Sequence, residues 1–266
     1  MEYARIHCSN PEDPAVLCFP GIKIADLKPL HIVSVACLIE SLSKIKRDIS
    51  LDKTEVGNYM FEKLKFREYW AEGQNYSCSE DENILNLWRL QPNQKDIYPR
   101  EVTKYLKRFA ESKDLSAISM SITEAFYNVC DHANAQGNAF SFISFDPEKL
   151  ILDIAVCDFG IGIGNSVRTK YPSMTDEEAL KNAIQPTFTI KSQEHNSGMG
   201  LDVIRGSSTS DKSMVIISNT AFLATKMDTV RAYPMDFNFQ GTLVNYQINL
   251  NHYDDSEECD FLDFDL

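Results

Sequence analysis

The sequence predicts an α/β protein: a small N-terminal α/β module over residues 1–95, an α/β sandwich of helices over a mixed β-sheet across residues 100–252, and an acidic tail over residues 253–266. Three observations lead there. Short strand-like apolar runs alternate with stretches whose apolar residues recur at helical spacing, as layered α/β folds require. A hydrophobic content of 43% in 266 residues is enough for ordinary globular cores, in one large or two small domains. Polar and glycine-rich motifs concentrate between Ser121 and Leu201, at the ends of predicted elements.

The elements follow in order. Residues 15–19 read as a short strand closed by a Pro20-Gly21 turn. Over residues 29–45, Leu30, Val33, Ala36, Cys37, Leu38 and Leu42 keep helical spacing. Residues 49–51 read as a buried strand, and 54–64 as a second helix with Val56, Tyr59, Met60 and Leu64 on one face. Residues 71–99 are polar and turn-rich, interrupted by one apolar run around Leu87 and Trp88, so they read as a linker with a single strand. A helix over 100–112, with Val102, Tyr105, Leu106 and Phe109 apolar, leads to another that starts near Leu115. Residues 140–145 and 149–157 predict a hairpin around Pro147. Residues 176–184 predict a helix, with Thr175 and Glu178 spaced as a capping box. Residues 214–219 and 243–250 read as strands, whereas 221–239 carry no pattern that assigns them.

Chemistry concentrates in three places. In residues 121–135, Glu124, Asn128 and His132 recur every four residues, which puts them within about 80° on one helix face. Ile122, Ala125, Phe126 and Val129 supply the apolar face. A carboxylate can take a proton or orient a water. An amide oxygen can ligate Mg²⁺, which keeps several waters and bridges to phosphates. An imidazole can face phosphate oxygens. A solvated polar face on an ordinary amphipathic helix has the same pattern. Next, the apolar run at 150–157 ends in Asp158, followed by Gly160, Gly162 and Gly164. Glycines there let backbone approach a flat ligand, and the acid can accept from an exocyclic amine such as that of adenine. A glycine-rich turn alone would read similarly. The glycine order does not fit G-x-G-x-x-G, and no G-x-x-x-x-G-K-[ST] occurs. Last, Gly198 and Gly200 open an apolar helix at Leu201, and backbone N–H groups at a helix start suit phosphate.

This ordered set resembles the GHKL superfamily of ATP-binding domains, shared by gyrase, the heat-shock chaperone of that class, MutL-type repair proteins and histidine kinases. The Glu124–Asn128–His132 helix resembles its N box, Asp158-x-Gly160-x-Gly162 its G1 box, and Gly198-x-Gly200-Leu201 its G2 box. Gln240-Gly241-Thr242-Leu243 is a fourth match. The helix wording is most similar to the anti-sigma-factor serine kinases. The resemblance spans about residues 110–250. It implies ATP and Mg²⁺ as ligands, with Asn128 on the metal and Asp158 on adenine. It implies that Thr242 supports Asp158 and that Gly160, Gly162, Gly198, Gly200 and Leu201 shape the pocket. Glu124 is then the general base, acting on water in an ATPase or on a protein hydroxyl in a serine/threonine kinase. A non-catalytic ATP sensor is the third expectation. His132 is a phosphate contact, as is Lys191 in the lid that residues 164–197 would form, although a solvated loop also suits Lys191. The N-terminal module loosely resembles STAS-like domains, without their Asp-Ser phosphorylation motif. A structural extension of the ATPase domain fits the same residues.

Composition bounds the partners. The net charge is −13 and no basic patch stands out, so no binding to nucleic acid or anionic membrane is expected. Seven scattered cysteines without a C-x-x-C pair argue against a disulfide framework or structural zinc, and a reducing cytoplasm fits best. No secretory signal pattern opens the chain, and its longest apolar run is too short for a bilayer. A protein partner is expected for the switch, and a homodimer is compatible with the resemblance.

Overall fold

The computed structural model describes residues 5–7, 14–45, 48–66, 70, 81–94, 97–128, 134–135, 137–186, 188, 201–207, 213–227 and 229–254. The N-terminal part holds a three-stranded sheet, β1 (Arg5–His7), β2 (Ala15–Cys18) and β3 (Ile49–Leu51), in that order. Helix α1 (Pro29–Lys44) connects β2 to β3, which pair in parallel as a helical crossover requires. Proline at its first position fixes a helical φ without losing a hydrogen bond. The single helix expected over 54–64 is divided. Thr54 caps α2 (Glu55–Asn58) through Gly57 N–H at 3.1 Å, and a π-turn over Tyr59–Lys63 follows.

The larger sheet has strand order β4-β5-β6-β8-β7, with β4 (Ile84–Arg89), β5 (Ala139–Asp146), β6 (Ile151–Asp158), β7 (Met214–Lys226) and β8 (Thr229–Asn249). Every pair in it is antiparallel, so the mixed sheet expected from sequence is not what forms. For β5–β6 and β7–β8, short turns are the reason. Leu150 and Met227 adopt left-handed φ values of 53° and 54°, and chain reversals that tight can join only antiparallel neighbours. Strand β4, read from sequence as part of the linker, is the sheet's edge.

Both faces of this sheet are covered, so β5 and β6 are buried almost continuously rather than alternately. On one face α1 packs through Val33, Ala36 and Cys37 with Phe140, Phe142, Ala155 and Cys157. The other face carries α3 (Ile97–Lys107), α4 (Ser116–Tyr127), α6 (Asp176–Ala183) and α7 (Leu201–Ser207). A short α5 (Ile163–Arg168) follows β6. The Glu40 carboxylate of α1 takes both terminal nitrogens of Arg89 on β4 at 2.8 Å, and Trp70 Nε1–H donates to it at 3.2 Å. Burial pushes Glu40 up, but Arg89 and Trp70 outweigh it and hold the carboxyl below its ordinary range. Among the described residues no helix is long and apolar enough to cross a membrane.

Candidate functional site

Strand parity aims the side chains. Leu152, Ile154 and Val156 of β6 lie in the core under α4, while Ala155 and Cys157 face α1. Asp158 therefore points to the α4 face, and its partner Thr242 does the same as Val244 and Tyr246. Helix α4 runs with β6. Asp114, just before the helix, donates its N–H to Asp254 O at 3.1 Å, near where Asn249 meets the start of β6. Halfway along, Ser121 Oγ lies 3.5 Å from the hydroxyl of Tyr246, which pairs with Ile154. From there to Asn128 the helix advances about 10 Å, and from Ile154 to Asp158 the strand advances about 13 Å. Asn128 and Asp158 thus reach the same end of the sheet, with Glu124 one turn behind.

At that end Asp158 is only 3% exposed. Its Oδ1 accepts from Gly160 N–H at 2.8 Å, and its carboxylate also accepts the N–H of Thr242. Burial pushes the carboxyl up to about 7, against the pull of those two donors. Such a group is poised to be ionised by any ligand that donates to it. Asn128 retains helical backbone angles at the end of α4, and its Nδ2 is buried with no hydrogen-bond partner among the described residues. An orphaned buried amide is costly unless a ligand completes it. Leu201 opens α7 but turns its side chain into the core at 6% exposure. His132, Lys191, Gly198 and Gly200 lie outside the described residues.

The loop after Asp158 is shaped by two glycines of the sequence motifs, Gly241 and Gly162, and held by Ser218, Asn219 and Thr220, which the sequence reading passed over. Gly241 has φ +83°, and a Cβ there would press on the Asp158 carbonyl and sit 2.7 Å from Gly160 N. Gly162 has φ +80°, and a Cβ there would lie 2.5 Å from Asn219 Oδ1. Ser218 Oγ donates to Gly241 O and accepts from Ile163 N–H, both at 2.8 Å, and lies 3.2 Å from Thr242 Oγ1. Asn219 donates from Nδ2 to Ile161 O at 3.1 Å and accepts Asn165 N–H at 3.3 Å. It does so from a left-handed φ of 51°, beside a bulge between β7 and β8. Arg168 pairs with Asp176, whose other oxygen accepts from Thr220 N–H at 3.0 Å and Thr220 Oγ1–H at 2.6 Å. Burial raises Asp176, but Thr220 and Arg168 more than offset it, and the carboxyl stays below its usual range. A Ser-Asn-Thr run inside a strand was the one sequence signal, since Asn tolerates left-handed backbone.

The assembly is a strand-end carboxylate and a helix-end amide over a braced glycine loop. It can accept a hydrogen bond from a ligand amine and donate one to an anionic or carbonyl oxygen. No protein-family model matches the chain, and no curated protein matches it either.

Proposed function

We propose that this chain binds ATP with Mg²⁺ at the Asp158 end of the five-stranded sheet and uses the nucleotide to switch a protein-binding surface. One observation carries the reading: the buried Asp158 carboxylate, fixed by Gly160 and Thr242 N–H groups on the helix-covered face. An acceptor so placed selects a ligand edge that donates. Adenine offers its exocyclic amine, whereas guanine offers a carbonyl oxygen at the same position and is repelled. The GHKL-like order of Glu124, Asn128, Asp158, Gly160, Gly162 and Thr242 supports the same ligand.

Among the described residues no group of three ligating side chains can cage a metal ion. A divalent cation would arrive on the nucleotide phosphates and take one protein oxygen, that of Asn128, which suits the waters Mg²⁺ retains. When bound, the ion supplies charge neutralisation at the phosphates. The chain's own residues do the rest. Asp158 orients the base, and the braced loop from Gly160 to Gly164 lies against it. Glu124 is the general base that takes a proton from water as the oxygen attacks the γ-phosphorus and ADP leaves.

The test is the dissociation constant for Mg·ATP in the wild type and in Asp158→Asn. A hydrogen bond to a charged group predicts a loss of roughly 10- to 150-fold. Equal affinities would remove Asp158 from the pocket. Glu124→Ala is expected to keep the wild-type affinity and lose phosphate release, and normal turnover by that variant would sink the base assignment. Label transferred to a protein hydroxyl would make the activity a kinase, and tight binding without turnover would make it a sensor.

A further inference from the structure

A cavity of about 620 Å³ opens on the opposite face of the sheet, between the start of α1 and the strand ends that carry Phe159 and Phe239. That volume lies within the range of small-molecule sites. Leu30, Val35 and Leu38 form one wall from α1. Phe159 and Phe239 form the other, packed edge to face with ring centres 5.7 Å apart. Met60, fully buried, closes the floor.

Three polar groups lie among these apolar ones: Asp26, His31 and Ser34. His31 Nδ1 accepts the N–H of Lys28 at 3.0 Å, so its proton sits on Nε2. Burial and the nearby Lys28 charge lower its pKa, which keeps the ring neutral. Ser34 Oγ donates to Leu30 O at 2.7 Å, leaving its lone pairs to accept. Asp26 already accepts from Lys23 N–H at 3.2 Å and is an acceptor only. The cavity therefore offers one donor and two acceptors beside an apolar slot. An anionic head would meet Asp26.

We propose that this cavity is a second ligand site, for an uncharged aromatic or aliphatic molecule whose head group both accepts and donates, such as a phenol or a primary amide. The head accepts from His31 and donates to Asp26 or Ser34. The body lies between the α1 leucines and the Phe159–Phe239 pair. The site is separate from the Asp158 pocket, because Phe159 and Asp158 point to opposite faces of the sheet.

The experiment uses 1-naphthol, followed by its own fluorescence, with the full chain and no nucleotide. Saturable one-to-one binding is expected, roughly 2- to 12-fold tighter than naphthalene for each hydrogen bond gained. Leu30→Trp and Leu38→Trp, both filling the slot from half-buried positions, are expected to abolish saturation while circular dichroism stays unchanged. His31→Phe is expected to bring 1-naphthol down toward naphthalene. Binding that rises linearly with concentration, or that survives both tryptophan variants, overturns the site. Equal affinity for 1-naphthol and naphthalene overturns the head-group assignment. None of these outcomes depends on nucleotide binding.

Discussion

Asp158 holds a carboxyl where charge is disfavoured, and its titration should be visible in stability. Its ordinary value is 3.8 and the folded chain raises it to about 7. Below about pH 4 the group is protonated in both states and folding loses nothing. As pH rises toward 7 the unfolded chain releases the proton and the folded chain resists, so stability falls; above about 7 the loss is complete. Asp158→Asn has no such slope. Its amide places a second donor against Gly160 or Thr242, which adds a constant cost. The expected outcome is an unfolding free energy that rises for Asp158→Asn relative to wild type by about 2 kcal/mol between pH 5.5 and 7.5. Chemical denaturation at several pH values measures it, and parallel profiles would show that Asp158 does not titrate there. At this scale the sequence was informative where chemistry was local: an acid closing an apolar run, then alternating glycines. Asn219 was not legible, because its role depends on a left-handed turn inside a strand and on Ile161, which lies 58 positions away.

Elements whose ends are written in capping residues were read closely. Helix α6 was expected over 176–184 and spans Asp176–Ala183, and its box is formed as the spacing predicts. Thr175 Oγ1 accepts Glu178 N–H at 3.2 Å, and Glu178 Oε2 accepts Thr175 N–H at 2.9 Å. Thr175→Ala should cost about 1 kcal/mol in equilibrium unfolding, and no change would mean that water replaces the cap. The β7–β8 hairpin shows the opposite case. In β7 the positions toward the helices are filled by Asn219, Ala221, Leu223 and Thr225, while Phe222 turns to the other face and packs half-buried against the α1-side core, so the apolar alternation is weak. The β8 half from Thr229 to Asn238 has no buried residue at all, and Tyr233 and Phe237 stand exposed. Tyr233, Met235, Phe237 and Phe239 do alternate with polar residues, but Pro234 within the run argues against a strand, and no fully buried face backs the alternation. The strands exist because each completes the other's backbone ladder from Thr225 and Val230 onward.

At the scale of the molecule the question is whether the N-terminal layer folds by itself. The sequence placed a separate module over residues 1–95. In the structure β4 of that segment is the edge of the five-stranded sheet, and α1 shares a core with β5, β6 and β8. The Glu40–Arg89 pair joins α1 to β4 across the layers. Removing α1 would expose Phe140, Phe142, Ala155 and Cys157, apolar surface that costs about 25 cal/mol per Å² to leave in water. The two tryptophans report on the two faces. Trp70 reaches Glu40 and packs on Phe140, while Trp88 lies in the core under the helices and donates to Gln94 at 3.1 Å. Trp70→Phe and Trp88→Phe leave one reporter each. If both layers form one cooperative unit, the two urea curves share a midpoint and a slope once each is compared with circular dichroism of the same variant. If the Trp70 signal is lost first, α1 and the small sheet are a separable layer. The exposed face of the larger sheet, with the Phe159–Phe239 wall upon it, would then bind a hydrophobic dye between the two transitions. A shared midpoint would mean that the sheet end bearing Asp158 is held from both sides, and that any change on the α1 face is felt by the loop from Gly160 to Gly164.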